Sequence, residues 1–266
     1  MRGTRIARAV SAAVLASAAA GGTASALPAC AGAVEIGNAP VVRVERTDEL
    51  LVLRDGRAVH LEGVRFPHAK QDHAPEFIAD QAYDAIDTMA RDRTLVVTAI
   101  APKEDRYGRI RGQVFDPAGG DLWLQVALLK AGDVRVEIAP DRTDCAAELY
   151  AAEAGARAAH LGLWAQPAYA IRGPQSLGGD TGTFQIVQGT VLSAAVKDGR
   201  AYLDFGTDWK SDFTVTISPD DMANFRHDGV DPRLYAGKTV RVRGIVQQYD
   251  GPEIEIADPK QVEVLP

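Results

Sequence analysis

The chain has 266 residues, 46% hydrophobic and 24% charged, enough for two modest domains, each with its own core. Its formal net charge is −7, and residues 1 to 34 carry three Arg and no acid, so loss of that leader would bring it to −7 − 3 = −10. Such an acidic balance argues against a general nucleic-acid binder, which carries a basic excess over its polyanion.

At the N-terminus, Arg2, Arg5 and Arg8 precede an Ala-rich run from Ala9 to Gly21, and Ala24-Ser25-Ala26 supplies a small-x-small cleavage site. This pattern predicts a signal peptide over 1–26 and a periplasmic or secreted protein. The apolar run is too short and too weakly apolar to stay as a transmembrane helix, so no membrane span is expected after cleavage. A second cut, Leu27-Pro28-Ala29-Cys30, is similar to a lipoprotein processing box, although Pro28 is unusual there. Cys30 and Cys145 are the two cysteines of the chain. An oxidising compartment would join them, tethering an N-terminal tail (27–40) to the start of a later helix, whereas lipidation of Cys30 would leave Cys145 alone.

Alternation of apolar and polar residues marks strands from Val41 to Leu53 and on to Val64, with Asp55-Gly56 as a tight hairpin turn. A helix is predicted from Pro75 to Arg91, with Phe77, Ile78, Ala82, Ile86 and Met89 on one face. Strands at Leu95–Val97 and Ile110–Phe115 flank the turn Asp105-Arg106-Tyr107-Gly108-Arg109. Helices follow at Leu122–Lys130, capped by Asp121, and at Asp144–Ala159, joined through Val134-Arg135-Val136. Residues 171–183, rich in Gly, Pro, Ser and Thr, read as a linker.

Beyond the linker the pattern is all-β: Phe184–Val196, Arg200–Phe205, Phe213–Ile217, Thr239–Gln248 and Glu253–Ile256, with a short helix over Pro219–Phe225. This order predicts a second, OB-like β-barrel over 184–266. Asp-Gly-Arg-Ala recurs at Asp55 and Asp198 with nothing around it repeating, as expected of convergent hairpin chemistry. Tyr202, Trp209, Phe213 and Tyr249 make either a stacking platform for bases or sugars or ordinary core. Nine Lys/Arg against thirteen Asp/Glu in 184–266, a difference of −4, weigh against the platform.

Four pieces then fall in a recognisable order: Val59-His60-Leu61-Glu62-Gly63-Val64-Arg65-Phe66-Pro67-His68, Asp105-Arg106-Tyr107-Gly108-Arg109, Asp121 to Gly132, and Gly162-Leu163-Trp164-Ala165. Together they resemble the staphylococcal nuclease-like (thermonuclease) family, whose members usually read V-R-L-x-G-I-D-A-P-E, D-x-Y-G-R, N-x-x-L-V-x-x-G-x-A and a helix ending G-L-W. The resemblance covers Val41 to Ala165 and implies, for 41–170, a five-stranded OB-fold barrel with helices: a mainly β fold with α. It also implies Ca²⁺-assisted phosphodiester hydrolysis, in which a Glu activates water, two Arg neutralise the phosphorane and two Asp hold the metal.

Several of those positions hold different chemistry. Arg109 keeps the second Arg, with Tyr107 beside it. The first Arg falls on His60, the Glu base on His68, and one metal-binding Asp on Arg65. Upstream, Thr47-Asp48-Glu49-Leu50 stands where the family has D-G-D-T, so Glu49 is the remaining candidate metal carboxylate. A fixed cation at Arg65 opposes a hard dication, so no cofactor is expected; Ca²⁺ would bind only if that site survived. Each lost transition-state contact costs on the order of 10² to 10³ in rate, though such losses are rarely additive.

These substitutions point first to a catalytically degenerate, exported nuclease-like protein serving as a binding or scaffolding module for an anion, a nucleic acid or an envelope protein. Arg65, Arg109 and His60 would then converge as an anion-binding pocket, unless Arg65 and Arg109 are each neutralised by neighbours such as Glu62 and Asp105, which would close the site to ligands. The alternative is an active phosphodiesterase in which His68 is the base and protonated His60 replaces the missing Arg. Arg54, Arg57, Arg65, Lys70, Arg106, Arg109 and Arg111 form either a basic patch around the site or a solvated face of ordinary charges. His73 follows His68 at a zinc-like spacing but has no thiol pair nearby and reads as a loop residue.

Overall fold

The computed structural model describes residues 27–120, 122–208 and 210–266. The leader over 1–26, the Asp121 cap and Trp209 lie outside the described residues.

In chain order the elements are β1 (Ala33–Glu45), β2 (Leu50–Leu53), β3 (Ala58–Leu61), β4 (Val64–Arg65), α1 (Ala69–Asp72), α2 (Glu76–Ala90), β5 (Thr94–Ala99), β6 (Ile110–Asp116), β7 (Leu122–Trp123), α3 (Leu124–Ala131), β8 (Arg135–Val136) and α4 (Ala146–Ala158). The C-terminal half contains β9 (Phe184–Thr190), β10 (Ser193–Lys197), β11 (Arg200–Asp204), β12 (Thr214–Ile217), α5 (Met222–His227), β13 (Thr239–Ile245), β14 (Gln247–Tyr249), β15 (Gly251–Glu255) and β16 (Val262–Val264). The fold is mainly β with a few helices.

The first sheet runs β3-β2-β1-β5-β6-β7, and an extra parallel pairing of β3 with β6 closes it into a barrel. This is the OB-like closure expected from the sequence. β1 begins eight residues before Val41: Ala33 to Pro40 pair with β5, so much of the stretch read as a tail is sheet. Two register shifts explain why alternation failed to show it. Likewise, the helix expected at Leu122 starts at Leu124, because Leu122 and Trp123 first pair with β6.

On α2, Ile78, Ala82, Tyr83, Ile86 and Ala90 are buried, but Phe77 is 55% exposed, so the apolar stripe turns on Tyr83 instead. The helix α3 is locked to the barrel wall through Gln125, which takes the Val114 N–H and donates to the Gly112 carbonyl. Its end meets the Gly-Leu-Trp turn where Gly132 and Gly162 pass so closely that a Cβ on either would lie within 2.4 Å of the facing carbonyl oxygen.

Cys30 and Cys145 form a disulfide that ties the segment before β1 to the start of α4. That bond uses the sulfur that lipid attachment at Cys30 would need. No helix among the described residues is long and apolar enough to cross a membrane.

In the C-terminal half β10-β11-β12-β15-β14 form one sheet and β16-β13-β9 another, with β12 and β15 parallel. The run expected as one strand from Phe184 breaks at Val191–Leu192 into β9 and β10. Phe213 is buried against Phe205 at 5.0 Å between ring centroids, so it is core and leaves the suggested stacking platform; Tyr249 is exposed. Residues 171–183 connect the halves in close contact: Arg172 exchanges backbone hydrogen bonds with Ile186 and Gln188, and Leu177 is buried. A small core of Ile78, Ala156, Leu163, Trp164, Tyr169 and Ile186 draws on both halves.

Candidate functional site

The turn between β5 and β6 holds itself in place. The Asp105 carboxylate accepts the backbone N–H groups of Tyr107 (2.8 Å) and Arg109 (3.0 Å) and the Arg109 Nε at 2.6 Å. Gly108 supplies the positive φ of 74° that closes the turn. Burial acts to raise the Asp105 pKa, but the bonds from Arg109 and Tyr107 outweigh it and keep the carboxyl below its usual range. Tyr107 is 66% exposed, with the guanidinium carbons of Arg106 and Arg109 each 4.9 Å from its ring.

Beside this turn lies an open cleft of about 220 Å³, lined by His60, Glu62, Asp105, Arg109, Arg111 and Glu137 among others. Barrel closure builds it, since the parallel pairing of β3 with β6 sets His60 opposite Arg111. Glu62, just past the end of β3 and only 4% exposed, accepts from Arg111 Nε at 2.7 Å and Nη2 at 3.1 Å, and lies 3.2 Å from His60 Nδ1. Burial alone would raise its pKa, yet hydrogen bonds from His60 and Arg111 bring it below the ordinary carboxylate value. Arg111 continues to Asp141 at 2.6 and 3.0 Å, and that contact, ahead of Glu62, raises its own pKa.

A second cluster lies around Glu49. Its Oε1 is 3.0 Å from His68 Nε2 and accepts from the Tyr83 hydroxyl at 3.4 Å. Asp48, next in sequence, stands 3.9 Å from Arg109 Nη1.

The structure therefore brings His60 and Arg109 into one cleft and pairs His68 with Glu49. Arg65 goes elsewhere: Nη1 is 3.2 Å from Glu137 Oε2, and its guanidinium carbon is 5.0 Å from the ring of Phe184 in the C-terminal half. The three-way convergence of Arg65, Arg109 and His60 is thus not what the chain adopts, because the short β4–β8 pair holds Arg65 toward the second half. Glu62, Glu137 and Asp141 were missed as site residues. The His60–Glu62 spacing of two on a strand end was the signal for the first, whereas the others come from a distant loop.

The Asp105–Arg109 turn thus stands at a cleft of a closed β-barrel that helices follow. Residues 58–166 match the family model for staphylococcal nuclease homologues, so this part of the chain is a staphylococcal nuclease-like domain. The match begins at Ala58, within a barrel that begins at Ala33, and leaves Asp48 and Glu49 outside it. No curated protein matches the chain.

Proposed function

We propose that this domain has lost the family's metal-assisted hydrolysis and serves an exported protein as a binding or scaffolding module. The carrying observation is that the basic side chains in and around the site face carboxylates of the same chain: Arg109 faces Asp105, Arg111 faces Glu62 and Asp141, Arg65 faces Glu137 and His68 faces Glu49. A calcium ion needs several anionic oxygens converging on one point. At the family's metal positions stand Arg65 and a Glu49 whose oxygen is engaged by two neighbours, and among the described residues no group of three or more His, Cys, Asp or Glu is placed to hold a metal. The donor set does not fit the ion.

The ligand surface is the His60–Arg109 cleft with Tyr107 at its rim. Its mixed charge suits a partner that brings both acids and donors, such as a protein surface, better than a polyanion. Hydrolysis measured with calcium, with other divalent ions and with chelator tests the loss of metal chemistry; metal-dependent cleavage would overturn it. Titration of phosphate, a short oligonucleotide and candidate envelope proteins against wild type and Arg109→Ala then tests the cleft.

One observation favours a second reading, an active phosphodiesterase in which His60, rather than His68 as the sequence suggested, is the base. A buried carboxylate on His60 Nδ1 orients the imidazole, as a general base requires, beside Arg109 in the same cleft. Chelator-resistant phosphodiester cleavage that disappears in both His60→Ala and Arg109→Ala would establish this reading.

We also infer that the protein is exported, a reading supported by the leader pattern and by the disulfide. Residues 184–266 read as a second OB-like barrel, a reading supported by the two sheets β10-β11-β12-β15-β14 and β16-β13-β9 around one core.

A further inference from the structure

Arg65 and Arg135 face each other across the β4–β8 pair, an arrangement in which like charges repel. Both guanidinium carbons lie 5.0 Å from the ring of Phe184, the first residue of β9. Arg135 is buried, sits 4.7 Å from the ring of Tyr169, and donates to the Phe184 carbonyl at 2.9 Å and to Asp72 Oδ2 at 3.0 Å. That same carboxylate oxygen accepts from the Tyr169 hydroxyl at 3.1 Å and from the backbone N–H of His68 at 3.0 Å. Gln71 adds a bond to the Gly182 carbonyl at 3.3 Å. The loop bearing His68 is therefore met at Arg65 by Phe184 and at Gln71 by Gly182, and Asp72 is tied to the same contact through Arg135.

We propose that the C-terminal half is the intramolecular partner of this loop, and that its docking through Phe184 onto Arg65 and Arg135, the latter bonded to Asp72, positions His68 against Glu49. The proposal rests on the reading above only in that Arg65 serves no metal. A buried Arg–Asp pair adds little net stability over apolar replacements, and here Arg135 Nε and Asp72 Oδ1 have no partner, so the pair is poorly accounted for by stability alone. It does fix geometry: Asp72 joins the docking contact to the His68 backbone. Asp72 and Phe184 are thus positioning residues, and Arg65, at a metal-ligand position of the family, has become a docking residue.

The test uses the full chain as wild type, Phe184→Ala, Phe184→Tyr and Asp72→Asn. Hydrogen exchange is read over 65–73 and over 200–217, together with the imidazole ring resonances of His68 and, as a control, His227. Phe184→Ala should speed exchange over 65–73 roughly ten-fold and shift the His68 signals, leaving 200–217 and His227 unchanged. Phe184→Tyr, which keeps the ring, should restore both readouts. If Phe184→Ala also loosens 200–217, Asp72→Asn decides by the same two readouts. Unchanged exchange over 65–73 and unchanged His68 signals in either deciding variant would overturn the proposal. Metal-dependent hydrolysis by the wild type would instead sink the functional reading and leave this result standing.

Discussion

Glu62 is the residue on which the site turns. It is buried, it orients His60, and it is one of two carboxylates on Arg111. Glu62→Gln should lower stability by roughly 2–3 kcal/mol, since a buried charge-assisted pair is broken while Asp141 still answers part of the Arg111 charge. Denaturant unfolding of both proteins checks the value. The sign of its pH dependence follows from a pKa lowered in the fold. The stabilisation is fully present above the unfolded value of about 4.3 and is lost as pH falls through the lower folded one. The gap between wild type and Glu62→Gln should therefore be full above about pH 5.5 and narrow toward acid; a gap that widens there would contradict the assignment. His60 and Glu62 are two residues apart, so their contact is local. That Arg111 completes them was not legible in the sequence, because the 49-residue separation of Glu62 and Arg111 is closed only by the parallel β3–β6 pairing.

At the scale of elements, the Asp105–Arg109 turn was readable because nearly all its bonds are local. Gly108 sits at positive φ with no atom within 4 Å of the place a Cβ would take, so Gly108→Ala should cost about 1–2 kcal/mol from backbone strain without a clash. Gly112 in β6 differs, since a Cβ there would lie 2.2 Å from the Thr98 carbonyl oxygen. Gly112→Ala should accordingly lose more stability than Gly108→Ala, and a thermal-shift comparison orders them. The disulfide closes a separation of 115 residues, so the Cys30→Ser/Cys145→Ser pair should lose about 4–5 kcal/mol by the chain-entropy account. An unchanged unfolding midpoint on full reduction would show that the bond constrains little.

At the scale of the whole molecule, buried charges join the two halves. Arg243 of β13 reaches both carboxylate oxygens of Glu153 on α4 at 3.0 and 3.1 Å and the Val136 carbonyl at 3.1 Å. Glu153 also accepts the Val136 N–H at 2.8 Å and pairs with Arg157. Glu153→Gln leaves Arg243 buried with only Glu263 to answer its charge, and should cost about 3–5 kcal/mol. With these contacts in place the halves should unfold in one calorimetric transition; two transitions in the wild type would show that they are energetically separate.

Period-two alternation, turn glycines and a two-cysteine inventory are local properties, so the sequence by itself determined most strands of both halves, the self-held Asp105–Arg109 turn and which sulfurs can pair. It also carried the family resemblance, because those motifs lie within short segments. The choice of partner for each charge was decided only by the tertiary structure. Arg65 meets Glu137 and Phe184, 72 and 119 residues away, because β4 pairs with β8 and the second half docks there. An ion pair depends on distance in space and on desolvation, and neither is encoded in the spacing of residues along the chain.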